Sequence, residues 1–309
     1  AGAFGPMSGF FVMWSYWISQ WVTNAALAIG AVSYLSAFAP EFLGQPFVGP
    51  LIAMAFVVTM TAIAIRGVRA TGAVQIVTTI LKLLPLIAVV IALIILWGGG
   101  SPVATTANVA TTPVAAPAVA GAAALALWAI LGFESGTVPA GRVIDPARTI
   151  ARATLWGTLF VGAIYVLVTL AVFLLLPADV AAKSNAPLAD LIAGVWNSNA
   201  GKLVAAFAAI SALGALNGWV FLQAEVPLVL AERGVFPKYF ARVNAAGMPV
   251  FGHALGCTLS VALIATNLSS GMIEIFSFMV LLATVATLVL YLAGALAVLA
   301  LVKRGHATG

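Results

Sequence analysis

Apolar residues fall in long unbroken blocks along this chain rather than in narrow stripes. A helix needs about 20 apolar residues to cross the hydrocarbon core of a bilayer, whereas a barrel strand needs about ten and alternates. The blocks do not alternate, so they predict membrane-spanning helices. Eight spans are expected, over 9–37, 47–65, 73–97, 118–139, 153–176, 201–223, 250–268 and 272–302. The connectors carry loop punctuation: Pro40, Gly44 and Pro46, the Gly/Pro/Thr-rich stretch 98–117, the stretch 177–200, and the charged stretch 224–249. The expected fold class is all-α, a polytopic transmembrane helical bundle.

Composition agrees with this pattern. Of 309 residues, 63% are hydrophobic and 7% are charged, far from the roughly 25% charged residues of a soluble domain. The net charge of +5 does not point to nucleic acid, because the basic residues stand singly or in small groups between apolar blocks. One set of alternate loops holds ten of them: Arg66, Arg69, Arg142, Arg148, Arg152, Arg233, Lys238, Arg242, Lys303 and Arg304. The other set holds only Lys183 and Lys202. By the positive-inside rule the first set is cytoplasmic, and with eight spans both ends of the chain are too. The one cysteine, Cys257, allows no intrachain disulfide. Position 1 is not Met and directly precedes an apolar block, so the chain is expected to be cut from a longer one.

The fourth span holds the most chemistry. An apolar half, 118–133, runs into Glu134, Ser135, Gly136, Thr137 and Pro139. Gly132, Gly136 and Pro139 all weaken a helix, and Pro139 removes a backbone donor. A broken helix near 132–139 is expected, since non-helical backbone at membrane depth is tolerated where it lines a watery cavity. The alternative is a simple kink with Glu134 at the interface. Glu134 is the acid nearest to mid-membrane, and an ionisable group there is a functional candidate by default. Lys82, ten residues into the third span, is either a second titrating group or a snorkelling lysine.

In the first span Tyr16, Ser19, Gln20, Thr23 and Asn24 share one helical face. A polar stripe of this kind faces the bundle interior, where it lines a substrate path or glues helices together. In the sixth span Gly214 and Gly218 form a small-xxx-small pair for close packing, flanked by Asn217 and Trp219. Trp128 and Trp219 can each offer an aromatic face to a cation. His253, Cys257 and Ser260 share a face of the seventh span, but one His and one Cys do not make a metal site. No phosphate loop, nucleophile elbow or catalytic triad is present. No cofactor, metal or enzymatic activity is expected.

The stretch LWAILGFESGTVPAGRVIDPARTIARAT, 127–154, resembles the sixth helix and following loop of amino acid–polyamine–organocation permeases. GPMSGFFVMWSYWISQWVTNAALAIGAVSYLS, 5–36, is similar to their third helix, and GWVFLQAEVPLVLAERGVFPKYFARVNAAGMPV, 218–250, to their eighth helix and loop. Within that superfamily the chain most resembles basic amino acid/polyamine antiporters.

The resemblance implies a partial five-plus-five inverted-repeat transporter covering helices three to ten. It is one domain, with 1–97 the remainder of the first repeat and 118–302 the second. It implies secondary transport of amino acids or related amines, with channel-like behaviour or an inactive fragment as alternatives. It assigns Trp128 to the aromatic that closes over substrate, Leu131 and Gly132 to the unwound segment, and Trp219 to the pocket. Tyr16 and Asn24 match residues that reach the substrate path, and Glu134 matches an acid of proton-sensitive gating. Lys82 is similar to a lysine of proton-coupled members. The expected partners are an amino acid or polyamine substrate and membrane lipid, with a homodimer allowed and no nucleic acid. The expected location is the plasma (cell inner) membrane.

Overall fold

The computed structural model of the protein describes residues 3–43, 45, 47–98, 115–134, 145–268 and 270–304. All regular elements among them are helices. In chain order they are α1 (Pro6–Leu35), α2 (Pro40–Leu43), α3 (Val48–Ile65), α4 (Val68–Leu81), α5 (Leu83–Gly98), α6 (Ala116–Ile130), α7 (Pro146–Leu175), α8 (Ala178–Lys183), α9 (Pro187–Val195), α10 (Ser198–Glu232), α11 (Val250–Ala265) and α12 (Met272–Lys303), with a short 3-10 helix at Lys238–Ala241 before α11. Pro6, Pro146 and Pro187 stand in the first turns of α1, α7 and α9. The missing N–H of proline has no helical partner to lose there.

Among the described residues five segments are long and apolar enough to span a membrane: Val48–Ile65, Thr71–Leu96, Arg148–Leu175, Ser198–Glu232 and Met272–Lys303. Polypeptide in lipid must satisfy its own backbone, which a helix does internally. At 30 residues α1 is also long enough, but its buried polar stripe lowers its hydropathy. The apolar helices α6 and α11 have 15 and 16 residues. At 1.5 Å per residue each is about 23 Å long, short of a hydrocarbon core of about 30 Å.

The third expected span corresponds to Thr71–Leu96, interrupted by a single turn between α4 and α5. Lys82 forms a turn between α4 and α5. Pro85 gives the reason: its ring opposes the carbonyl four residues back, at Leu81, and it offers no N–H to that carbonyl. Lys82 is exposed at this junction, not enclosed within a continuous helix.

Contacts divide the chain into two compact units, residues 1–81 with 209–309, and residues 82–208. In the first unit α1 packs along α12 and also against α3 and α11. Gly30 lets this happen: a Cβ there would stand 3.3 Å from the Phe276 ring of α12. In the second unit α5 packs on α7 and α9, around Val89, Ala92, Leu93, Ala171, Leu191 and Ile192.

Candidate functional site

In the first unit the expected stripe on α1 points inward. Tyr16, Ser19, Gln20, Thr23 and Asn24 are all buried, and Asn24 is fully so. Ser19 satisfies its hydroxyl locally on the Tyr16 carbonyl, at 2.7 Å. Asn24 instead reaches another helix, donating from Nδ2 to Gln223 Oε1 of α10 at 2.8 Å.

Gln223 is held on three sides. Its carbonyl accepts from Trp17 Nε1 at 2.9 Å. Its side chain lies against α11 at Gly256, where an added Cβ would stand 2.6 Å from Gln223 Cδ. Ser260, one turn on, donates to the Trp21 carbonyl at 2.7 Å and so ties α11 to α1. Glycine at 256 makes room for the amide, which a side chain there would displace.

The amide pair leaves a definite chemistry. Asn24 Oδ1, an acceptor, and Gln223 Nε2, a donor, are buried without a hydrogen-bond partner, as is Gln20 Oε1 one turn below Asn24. A bare buried polar atom costs about 1–3 kcal/mol, so this locus favours a guest that supplies both kinds of partner. A primary ammonium or guanidinium donates, and a carboxylate accepts. Trp219, half-buried, lies four residues before Gln223 and so on the same face of α10. The first unit thus gathers Asn24, Gln223 and the Trp219 face, with Tyr16 two turns away along α1.

His253 is fully buried. Its Nδ1 lies 3.0 Å from the Pro249 carbonyl, which can only accept, so the proton sits on Nδ1. Among the described residues no three His, Cys, Asp or Glu side chains come together to hold a metal.

A second polar seam joins α4 to α10. Asn217 Nδ2 donates to the Thr71 carbonyl at 3.0 Å. Gly214 lies directly against Thr78, and a Cβ on Gly218 would stand 3.1 Å from Gln75 Oε1. The small pair at 214 and 218 therefore packs as expected, with α4 as its partner.

In the second unit α6 stops at Ile130 in the middle of an apolar run. Leu131 is extended, with φ −66° and ψ 150°, and Gly132 takes φ +110°, a conformation glycine adopts without a Cβ penalty. Leu131 N–H bonds the Trp128 carbonyl at 3.2 Å, and Gly132 N–H donates to Glu134 Oε2 at 2.9 Å. α6 thus ends one residue before Leu131, the part of the expected break at 132–139 beyond Glu134 lies outside the described residues, and Glu134 takes up the Gly132 N–H. Ser135, Gly136, Thr137, Pro139 and Arg142 lie outside the described residues. Trp128, Leu131 and Glu134 are all half-buried. Lys82 belongs to this unit as well.

The pairing of Asn24 with Gln223 and the role of Asn244, described below, escape a reading of the sequence. The available signal for Gln223 was an amide inside an apolar run, four residues from a tryptophan.

Residues 1–306 match the amino acid permease family. The chain is 33% identical to a cadaverine/lysine antiporter of Escherichia coli K12, over 85% of this chain and 59% of the relative. It is 30% identical to the putrescine transporter PotE of the same organism, over 94% of this chain and 65% of the relative. It is also 30% identical to a Bacillus subtilis protein provisionally named an arginine/ornithine antiporter, over 98% of this chain and 68% of the relative. The chain thus spans about two thirds or less of the length of these relatives, and it belongs to the amino acid permease family.

Proposed function

We propose that this chain is the substrate-handling part of a secondary transporter for amino acids or related amines, in the plasma membrane. The observation that carries the reading is the α6 break at Leu131–Gly132, closed by Glu134 in an apolar run. A helix end frees backbone carbonyls for a cationic group. The buried amide pair of Asn24 and Gln223 adds an unfilled acceptor and donor, which suits a molecule bearing ammonium and carboxylate groups.

On this reading Tyr16, Asn24 and Trp219 are the substrate contacts of the first unit, and Trp128, Leu131 and Gly132 those of the second. Glu134 or Lys82 couples transport to protons. The names of the relatives, cadaverine/lysine and arginine/ornithine antiporters and a putrescine transporter, favour a basic amino acid or diamine. They also favour exchange over uniport. The ten-to-two distribution of basic residues supports cytoplasmic placement of the loops at 66–72, 140–152 and 224–249. The five-plus-five repeat, with its boundary between 97 and 118, belongs to the same reading.

The test is flux. The transporter containing this chain is reconstituted in vesicles loaded with lysine, arginine, cadaverine or putrescine. Uptake of labelled substrate that depends on internal substrate supports an antiporter. Single-channel currents without saturation would replace it with a channel.

A further inference from the structure

Two loops far apart in sequence are fastened to each other. Asn244, between α10 and α11, donates from Nδ2 to the carbonyl of Ile65 at the end of α3, at 2.9 Å. Its Oδ1 accepts from the N–H groups of Ala246 and Met248 at 2.9 and 3.0 Å. One side chain therefore closes its own turn and clamps that turn to the α3–α4 corner. At the corner Gly67 takes φ +121°, and a Cβ there would stand 3.4 Å from Ala246 Cβ.

Rings hold the other side of the same loop. Phe240 is buried, with its centroid 4.8 Å from Phe251, 5.4 Å from Phe236 and 6.4 Å from Trp17 of α1. The loop is thus a fixed platform and not a tether.

This platform is basic. Arg66 and Arg69 project from the corner, and Arg233, Lys238 and Arg242 from the loop, all exposed. Among the described residues none of the five is held by a carboxylate, and the acid beside them, Glu232, is itself exposed. Val68, Val235, Tyr239, Val243 and Phe251 lie exposed between the cations.

Five clustered cations repel one another unless an anion covers them. A small soluble anion would neutralise them and leave the apolar side chains in water. The platform stands at the ends of α3, α4, α10 and α11, where spans meet the bilayer surface. An anionic phospholipid answers both features: its phosphate meets guanidinium groups, and its glycerol and upper acyl chain meet Val, Tyr and Phe.

We propose that the clamped α3–α4 corner and α10–α11 loop form one binding site for the headgroups of anionic phospholipids. The surface potential of an anionic leaflet attracts each nearby Lys or Arg, and salt screens the attraction over about 8–10 Å.

The test uses the full 309-residue chain in vesicles of phosphatidylcholine and phosphatidylglycerol in equal parts. Lipid retained after extraction is counted by native mass spectrometry. The expected result is enrichment of phosphatidylglycerol, reduced at least about tenfold by Arg233→Gln/Lys238→Gln/Arg242→Gln. Lys183→Gln/Lys202→Gln, which removes cations from the other set of loops, leaves it unchanged. Asn244→Ala removes no charge and still lowers retention, because the corner and the loop separate.

If Asn244→Ala fails to fold, Arg66→Gln/Arg69→Gln decides: one shared site requires that it too lowers retention. Equal retention of the two lipids overturns the proposal. So does full enrichment in the triple variant, in a folded Asn244→Ala variant or, where that variant does not fold, in the Arg66→Gln/Arg69→Gln pair. Displacement of the lipid by inorganic phosphate at equal concentration also overturns it, since the site would then be one for free phosphate.

Discussion

Asn24 and Gln223, 199 positions apart in the chain, meet through a buried hydrogen bond of 2.8 Å. The bond joins α1 to α10, and both side chains are fully buried. Removing one partner leaves the other bare. Hydrogen bonds between membrane helices contribute about 0.6 kcal/mol on average and up to about 1.7 kcal/mol. Asn24→Leu and Gln223→Leu are each expected to lower thermal stability in detergent. The double variant should lose less than the sum, with a coupling of about 0.5–1.5 kcal/mol. Additive losses would show that the bond contributes nothing.

Gly214 makes a different kind of contact. It lies against Thr78, whose hydroxyl is tied to the Val74 carbonyl at 2.8 Å. A β-branched residue in a helix has little χ1 freedom, so it cannot swing away from an added methyl. Gly214→Ala should cost about 1–3 kcal/mol. Thr78→Gly in the same chain should recover part of it, because the added methyl meets Thr78 Cβ as well as its hydroxyl and only glycine removes both. Unfolding by denaturant of the two single variants and the double checks this. An unchanged Gly214→Ala midpoint would mean that α4 and α10 do not meet there.

These two contacts mark what a sequence can and cannot tell. The stripe from Tyr16 to Asn24 was legible because burial on one face of a helix repeats every 3.6 residues. The end of α6 was legible because Gly132 weakens a helix wherever it stands. The partners were not legible. Nothing local to Asn24 specifies Gln223, and the small pair at 214 and 218 announces a close neighbour without naming α4. The turn at Lys82 is a related case: it lies inside the expected span, but Pro85 acts on the carbonyl four residues before it, so the helix is interrupted at a position that looks helical by its own neighbours. Asn244 sits in a loop where asparagine is common, and only the fold shows that it clamps α3.

Trp128 and Trp219 are half-buried, which leaves part of each ring open to a guest. If each ring faces a cationic substrate, replacing it by Leu removes about 0.5–2 kcal/mol of cation–π attraction. At 1.4 kcal/mol per factor of ten, substrate affinity should fall roughly 2- to 30-fold in the complete transporter. Binding titrations with lysine or putrescine on Trp128→Leu and Trp219→Leu check this. Wild-type affinity in both, at normal expression, would remove them from the site.

Arg148 lies exposed in the first turn of α7, at the end that the proposed topology puts on the cytoplasmic side. Arg148→Cys, with Cys257→Ser as background, should resist a membrane-impermeant thiol reagent added to intact cells and react after lysis. Strong labelling from outside would invert the topology.

Glu134 and Lys82 compete for the proton-coupling role, and their surroundings differ. Glu134 is half-buried and its Oε2 accepts the Gly132 N–H at 2.9 Å, closing the break at the end of α6. Lys82 is exposed in the turn between α4 and α5. A charge bound to a structural break interacts differently with open and closed arrangements, so its ionisation shifts their populations. A charge in an open turn is better solvated and shifts them less. Glu134→Gln keeps an acceptor oxygen for the Gly132 N–H and removes titration. It should preserve substrate binding and flatten the dependence of exchange on pH. Glu134→Ala should do more, because the break then loses its cap as well as its charge, and stability should fall by about 0.5–2 kcal/mol. Lys82→Ala should leave the pH profile intact. Exchange measured against pH for the three variants of the complete transporter decides it. If Glu134→Gln keeps the full profile while Lys82→Ala loses it, coupling belongs to the α4–α5 turn.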